Sequence, residues 1–534
     1  MILDFIPASS DYVVRIPRDD ARVSELVTEH GLNLSVTAST AAEAVLFTKD
    51  PYAALSYAEN ATERATAALG PMLPEVQASY SLGSSTKFLV PDGRDLYPFQ
   101  KAGVEYALRR NRVLIGDEPG LGKTPMGVVV ANELRAKRVL VVCPANIRLQ
   151  WADQVRAWST MVRPIIYPIE SAAQGVHPRA NWTIVSYDLA SSPKISEILG
   201  ATQWDLAIVD ECHYLKTPTA RRTRAVLGDE GVTRNAAFIL GLTGTPLPNR
   251  PNECFTLAQS LCWDAIDFMG FKDFASRYNL VTKNKTKNNK IFVTEKTGRL
   301  LELQNRLRVN FMVRREKRVV LPQLPAITHS IAYVDETSEV RHALEIEKLL
   351  HVDPTDLSGA DINILAHIST ARYEMGVAKA PQVVTYADGL LDGGVDKLVI
   401  FGWHIDVLEI IEKGLRGKGY KLVKINGSSS MTARRQAVKD FVENGDVRVF
   451  LGNLQSVGVG VDGLQKVCNR ALFAEIDWSP ANNEQGIGRL ERIGQKNAIL
   501  AEYLIAEKSL DNLVLSKWIG KLRDINAALD RRLK

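Results

Sequence analysis

The segment Gly116-Asp117-Glu118-Pro119-Gly120-Leu121-Gly122-Lys123-Thr124 follows an apolar run, opens a helix-like stretch, and is read as a phosphate loop of the pattern GxxxxGK[ST]. Glycines let backbone N–H groups close around the β- and γ-phosphates, the lysine supplies a point charge, and the threonine hydroxyl can join the shell of Mg²⁺. Gly120, Gly122, Lys123 and Thr124 are therefore assigned to ATP, and Thr124 also to the metal. About ninety residues later, Ile208-Val209-Asp210-Glu211-Cys212-His213 ends an apolar run in two acids. Asp210 is expected to hold Mg²⁺ through water, and Glu211 to orient and deprotonate the attacking water. Such a pair alone is commonly a turn or a helix cap; the loop upstream gives it weight.

Phosphoryl transfer depends mostly on positioned positive charge. Gln485-Gly486-Ile487-Gly488-Arg489-Leu490-Glu491-Arg492 offers Arg489 and Arg492, three apart and so on one helix face. They lie far along the chain from the loop. ATP is accordingly expected in a cleft between two domains, with hydrolysis sensitive to closure of that cleft.

The elements that must position these residues alternate in type. Val113-Leu114-Ile115, Arg138 to Val142, Thr183-Ile184-Val185 and Leu206 to Val209 are short apolar runs, each running into a Gly, Pro, Ser or Asp within two residues, with helix-like segments between. A second series runs through Lys397 to Phe401, Lys421 to Ile425, Val447 to Leu451 and Arg470 to Ala474. Both series read as parallel βαβ units with helices on both faces, whose ligands sit at the carboxyl ends of the strands. The fold class is α/β, with two tandem domains, a helical insertion and a small N-terminal accessory domain. The predicted boundaries are 1–90 for the accessory domain, 91–325 for the first α/β domain with an insertion from about 251, 326–390 for a helical linker, and 391–534 for the second α/β domain. Helical pattern is predicted for Thr37 to Leu46 and Ala53 to Leu69. Lys283 to Lys290, with four lysines, is expected as an exposed loop or hairpin tip able to touch phosphates.

Composition sets the outer limits. The 534 residues hold 66 Lys+Arg against 61 Asp+Glu, a net charge of +5 that permits nucleic-acid binding without arguing for it. Hydrophobic residues at 46% suit several ordinary cores and exclude global disorder. The five cysteines have no metal-site spacing, so a reducing compartment is expected. The N-terminus lacks the basic residues and apolar run of a signal peptide, and no run of eighteen apolar residues occurs, so neither secretion nor a membrane is expected.

With these motifs in order, residues 92 to 520 resemble the Swi/Snf-type DNA translocases of helicase superfamily 2, whose motor is two RecA-like domains. Within that family, Phe473 to Pro480 and the compact length look most like the annealing-helicase (HARP) branch and its phage-encoded branch-migration relatives. The resemblance makes Leu96-Tyr97-Pro98-Phe99-Gln100 the adenine-reading segment, with Gln100 on the base. It makes Val141 to Asn146, continuing to Trp151, and Ile184 to Asp188 the lining of a DNA track, through Asn146 and Ser186. Leu242 to Asn249 resembles the motif coupling ATP to DNA through Thr243. Phe311 to Lys317 resembles the segment joining the lobes, placing Arg314 beside DNA or the hinge. In the second domain Trp403, Asn426 and Ser456 are assigned to DNA, and Gly460 and Gln485 to ATP. Pro119, Pro125, Cys212 and the sequence of Ser456 to Asp462 depart from the family's usual forms.

The resemblance implies ATP and Mg²⁺ as cofactors, double-stranded and branched DNA as partner, and a monomeric or weakly associating chain. It also implies action in the cytoplasm of a bacterium or on phage DNA, or in a eukaryotic nucleus. The expected function is an ATP-dependent double-stranded DNA translocase that anneals strands, migrates branches or regresses forks in replication, recombination or repair. A strand-separating DNA or RNA helicase, and an ATP-gated clamp on DNA or a polymerase that does not step, remain open alternatives.

Overall fold

The computed structural model describes residues 1–247, 250–285, 291–349, 362–457, 461–477, 480–512 and 514–515. Two compact units divide between Val320 and Leu321. The first contains a seven-stranded, wholly parallel sheet ordered Met312–Val313, Arg112–Ile115, Ala236–Leu242, Trp204–Asp210, Val139–Cys143, Trp182–Ser186 and Ile166–Pro168. Its central strands are mostly apolar and almost completely buried, as a parallel sheet covered on both faces requires. Register brings Ile115, Leu242 and Asp210 level, so the residues following three neighbouring strands emerge at one edge.

In the second unit the sheet has six parallel strands, ordered Ile327–Tyr333, Ile499–Ile505, Arg470–Phe473, Leu398–Gly402, Val447–Asn453 and Lys421–Ile425. These are the tandem RecA-like domains of the expected α/β class. The helical linker expected over 326–390 is corrected. Ile327–Tyr333 pairs with Ile499–Ile505 as a strand of the second sheet, and Ile362–Asp392 packs through Val383, Ala387 and Leu391 into that domain's core. Thr328-His329-Ser330 hid the strand because an edge strand need not be apolar.

Residues 2–48 form an antiparallel sheet ordered Ile2–Ile6, Asp11–Pro17, Glu43–Thr48 and Asn33–Leu34, with short helices following. The helix expected from Thr37 to Leu46 is corrected: Glu43–Thr48 is a strand whose Ala44, Val45 and Leu46 are buried. This accessory sheet belongs to the same compact unit as the first parallel sheet. One Asp50 oxygen caps helix Pro51–Leu55 by accepting from Tyr52 and Ala53 N–H. The other accepts from Arg277 at 2.7 Å and Arg306 at 2.5 Å, and both arginines also donate to Glu302. Burial works against the Asp50 charge, but Arg306 and Arg277 hold its carboxyl below the usual range.

Within the insertion, Phe255–Leu261 and Phe271–Tyr278 are helices, and Asn279–Lys285 pairs antiparallel with Ile291–Thr297 as a hairpin. Residues 286–290 of the lysine-rich stretch lie outside the described residues, as do 248–249, 458–460 and 478–479 of the motif segments.

Candidate nucleotide and nucleic-acid site

Strand Arg112–Ile115 feeds the phosphate loop, and helix Lys123–Glu133 leaves it. Counted back from Gly122, the first position of GxxxxGK[ST] falls on Asp117 rather than Gly116, which corrects the reading of that pattern. Asp117 is fully buried, and Arg315 grips it bidentately at 2.9 and 2.5 Å. Arg315 also donates to the Phe99 carbonyl, and its own N–H goes to Asp117. The loop is thereby clamped from the segment that follows strand Met312–Val313. Gly122 has φ 74°, a left-handed conformation that favours glycine, and a Cβ there would lie 2.4 Å from Nε2 of Gln100, whose amide would have to move. Gly120 is also left-handed, at φ 89°. Pro125 falls in the first helical turn, where its missing N–H has no intrahelical use.

Lys123 Nζ donates to the carbonyls of Asp117 at 2.7 Å and Glu118 at 3.2 Å. Burial lowers its pKa, opposed by the charges of Glu211, Asp117 and Asp210. Gln100 is buried beside the loop, its Oε1 accepting from Tyr97 N–H. The structure thus gathers Gln100, Gly122, Lys123, Asp210 and Glu211 around one strand-end edge, with Thr124 on the helix that starts there.

Asp210 ends its strand 6% exposed, and Glu211 follows in the left-handed region at φ 50°, a turn that sends the two carboxylates in different directions. The Trp151 indole donates to Asp210 Oδ2 at 2.7 Å and the Glu211 N–H to Oδ1 at 2.9 Å. Burial first, then the neighbouring Glu211 charge, pushes the Asp210 pKa up to about 7, only partly offset by Trp151 and Lys123. A buried acid beside a half-buried one, with this excess of negative charge next to a lysine and a glycine loop, fits a nucleotide and its divalent cation. Thr124 and Asp210 are the residues that would hold Mg²⁺, and Gly120, Gly122, Lys123 and Thr124 those that would hold phosphates. Bound there, the cation would neutralise charge on the β- and γ-phosphates.

Sequence reading missed His213. Its Nδ1 lies 3.2 Å from Glu211 Oε2, 2.8 Å from Thr243 Oγ1 and 3.4 Å from Thr245 Oγ1. This imidazole places Glu211 beside the neighbouring strand end, a proximity the spacing of the two motifs could not show. Thr243 is fully buried in that chain, so its expected contact with DNA is corrected to an internal one. Arg314 is corrected likewise: 5% exposed, it donates to the carbonyls of Gly116 at 2.7 Å and Gly244 at 3.1 Å, bracing the loop from inside. Trp151 is buried beneath Asp210 rather than lining a track. Ser186 is buried and caps helix Tyr187–Ala190 through Leu189 N–H. Asn146 stays half-buried just beyond strand Val139–Cys143. Cys212 is buried with its thiol pushed well up by desolvation, consistent with packing rather than redox chemistry.

In the second unit, Arg489 is buried and donates to the carbonyls of Val461 at 2.9 Å and Gln485 at 3.2 Å. Arg492 donates to Asp462 at 2.8 Å and to the Gly488 carbonyl. Although burial opposes it, the Arg492 and Arg489 charges hold Asp462 low. Gln485 is buried one turn before Arg489, and Gly460 lies outside the described residues. Arg434, also missed, donates to the carbonyls of Asn426, Ser429 and Ser456, tying two strand-end loops together. Ser456 is itself buried against Asn453, so its side chain does not face outward as expected. Asn426 and Trp403 remain half-buried at strand ends, and the Trp403 and His404 N–H groups donate to buried Glu475. Among the described residues, no helix is long and apolar enough to cross a membrane, and no acid, histidine and cysteine cluster has metal-site geometry.

Comparison with known proteins identifies the family. Residues 99–366 match the model of the SNF2-related domain, and 383–494 that of the helicase conserved C-terminal domain. The DNA annealing helicase and endonuclease ZRANB3 of Homo sapiens is 29% identical over 448 residues, 82% of this chain and 40% of its own; the Mus musculus protein is 28% identical over 447 residues. The SWI/SNF-related matrix-associated actin-dependent regulator of chromatin subfamily A-like protein 1 of Xenopus tropicalis is 28% identical over 445 residues, 82% of this chain and 45% of its own. The chain thus spans less than half the length of these relatives. The Sulfolobus solfataricus SWI2/SNF2 ATPase core, solved in complex with dsDNA, aligns over 85% of this chain and 100% of its own at 17% identity and a TM-score of 0.40. With the SNF2-related model covering half of its length, a clamped phosphate loop, and an acid pair beside the next strand end, the chain belongs to the SNF2-related family.

Proposed function

We propose that this protein is an ATP-driven translocase on double-stranded DNA that remodels branched DNA by annealing strands, migrating branches or regressing forks, in replication, recombination or repair. The observation that carries the reading is the Glu211–His213–Thr243 chain. It sets the hydrolysing carboxylate within 3.2 Å of an imidazole nitrogen that also meets Thr243, at the loop after strand Ala236–Leu242, where nucleic acid is expected at the carboxyl edge of the sheet. The names of the relatives, which are DNA annealing helicases, support strand annealing on DNA as the activity.

In this reading Lys123 and the glycine loop bind the phosphates of ATP, Glu211 takes the proton of attacking water, and Thr124 and Asp210 hold Mg²⁺. Arg489 and Arg492 bring positive charge to the γ-phosphate when the lobes close. Asn146 in the first lobe and Trp403 and Asn426 in the second contact the DNA strand, so alternate grip becomes a step along the backbone. Phosphate contacts make the grip insensitive to sequence and weaker in salt.

The test is steady-state ATP hydrolysis at one salt concentration with no nucleic acid, single-stranded DNA, blunt duplex, a four-way junction and duplex RNA. Stimulation by duplex, and more by the junction, is expected. Stimulation by single strands or RNA alone would replace the reading with a strand-separating helicase, and none at all with a clamp.

A further inference from the structure

The amino ends of the first parallel sheet, opposite the nucleotide edge, carry a hollow of about 390 Å³. Its walls are the end of helix Lys123–Glu133, the turn into strand Val139–Cys143 and the loop at 160–162. We propose that this hollow docks an acidic segment of a partner protein through one apolar anchor side chain.

Three observations point to that chemistry. First, apolar surface is left in water at the hollow: Val162 is 92% exposed and Leu89 46%, with Met161 beside them in the wall. Apolar side chains gathered at a concave site, rather than scattered singly, mark a binding surface. Second, the flanking cations are unengaged. Arg135 and Lys137 are exposed, and among the described residues neither side chain enters an ion pair or hydrogen bond. The neighbouring acid Asp205 is turned to backbone, accepting the N–H groups of Lys137 and Arg138. Third, the hollow is braced. Asn132 donates to the carbonyls of Leu89 and Trp158 and accepts from Thr160 N–H, and Asn181 donates to the Lys137 carbonyl and accepts from Ile165 N–H. Arg135 at φ 49° and Arg163 at φ 51° are held in the left-handed region on either side of it. With both asparagines spent on its own walls, the hollow offers an incoming ligand apolar contact, positive charge and the Thr160 hydroxyl.

A phosphate backbone would satisfy Arg135 and Lys137 but leave Val162, Leu89 and Met161 in water. An acidic peptide with a Phe, Leu or Trp anchor satisfies both, which is why a protein segment is favoured over nucleic acid. Helix Lys123–Glu133 runs from the phosphate loop to the hollow, and its eleven residues span about 16 Å, so a docked segment leaves the nucleotide site uncovered.

The test uses the full chain on an array of short immobilised peptides, each carrying one Phe, Leu or Trp among Asp and Glu, beside a matched set with every acid replaced by Gln. Saturable binding concentrated in the acidic set is expected. Val162→Asp, and separately Arg135→Glu with Lys137→Glu, should each weaken it by about tenfold or more. Val162 is too exposed for its change to disturb folding, and none of these residues belongs to the nucleotide site, so basal ATP hydrolysis should be unchanged. Absence of saturable binding, equal binding to the Gln set, or binding that survives the variants would overturn the proposal. It would equally be overturned if a short DNA duplex bound the wild-type hollow, competed with peptide and lost affinity in the same variants, which would assign the surface to nucleic acid.

Discussion

Replacing Trp151 by Phe removes one hydrogen bond and leaves an aromatic ring in place. Its consequence follows from the environment of Asp210, whose pKa is already pushed up to about 7 by burial and by Glu211. The indole N–H donates to Asp210 Oδ2 at 2.7 Å and favours the ionised form. A hydrogen bond to a charged group contributes about 1.5–3 kcal/mol. At about 1.4 kcal/mol per tenfold change in proton affinity, its loss moves the titration of Asp210 upward by about one to two pH units. The acidic limb of kcat/KM against pH reports the free enzyme and should move by the same amount. At pH 7.5 the ionised fraction falls from about three-quarters to about a quarter or less, and activity should fall about threefold or more and recover above pH 9. Thermal denaturation and nucleotide affinity at pH 9.5 check that the smaller ring has not simply loosened the core. An acidic limb that stays in place, with activity lost equally at every pH, would refute the assignment of Asp210 as the titrating group that Trp151 supports.

Lys123→Ala should abolish ATP hydrolysis, and Glu211→Gln should bind ATP yet lose about a hundredfold or more in turnover, both read by steady-state assay and nucleotide titration. Arg315→Met leaves Asp117 buried without its counter-charge and should destabilise the first unit by about 3–5 kcal/mol in chemical denaturation, with a large part recovered by also changing Asp117→Leu. The folded protein keeps the Asp210 proton up to about pH 7, while an unfolded aspartate releases it near 3.8. Without nucleotide this group therefore lowers stability as pH rises from about 4 to 7. Mg²⁺ should consequently raise Tm more at pH 8 than at pH 6 in a scanning experiment. Changing Arg489 or Arg492 to Ala should cut DNA-stimulated hydrolysis more than nucleotide binding; equal loss of both would mean that the Asp462 and Val461 contacts are merely structural.

Local signals were strong wherever chemistry and periodicity coincide. The apolar runs ending at Ile115, Cys143, Ser186 and Asp210 are strands because a parallel sheet buried on both faces is written in continuous aliphatic residues. Helix Leu300–Asn310 shows what such patterning cannot convey. Glu302, Gln304, Asn305, Arg306 and Arg308 would place it at the surface, yet all five are at most 2% exposed. Asn305 on Tyr52, Arg308 on Ser79 and Arg306 on Asp50 each find a partner more than two hundred residues away, and pairing across that distance has no periodicity. For the same reason Arg314 looked available to DNA. Only the tertiary structure reveals the Gly116 and Gly244 carbonyls that occupy it. His213 was legible as a neighbour of the acids, but its link to Thr243 depends on strand Ala236–Leu242 lying beside Trp204–Asp210.

The most direct measurement is displacement of a third strand from a triplex at the far end of a DNA duplex, followed over duplexes of increasing length with ATP and Mg²⁺. The account predicts a lag that lengthens with the duplex, no separation of the two duplex strands, and complete loss in Lys123→Ala. Displacement without ATP hydrolysis, a lag independent of length, or unwinding of the duplex itself would contradict it.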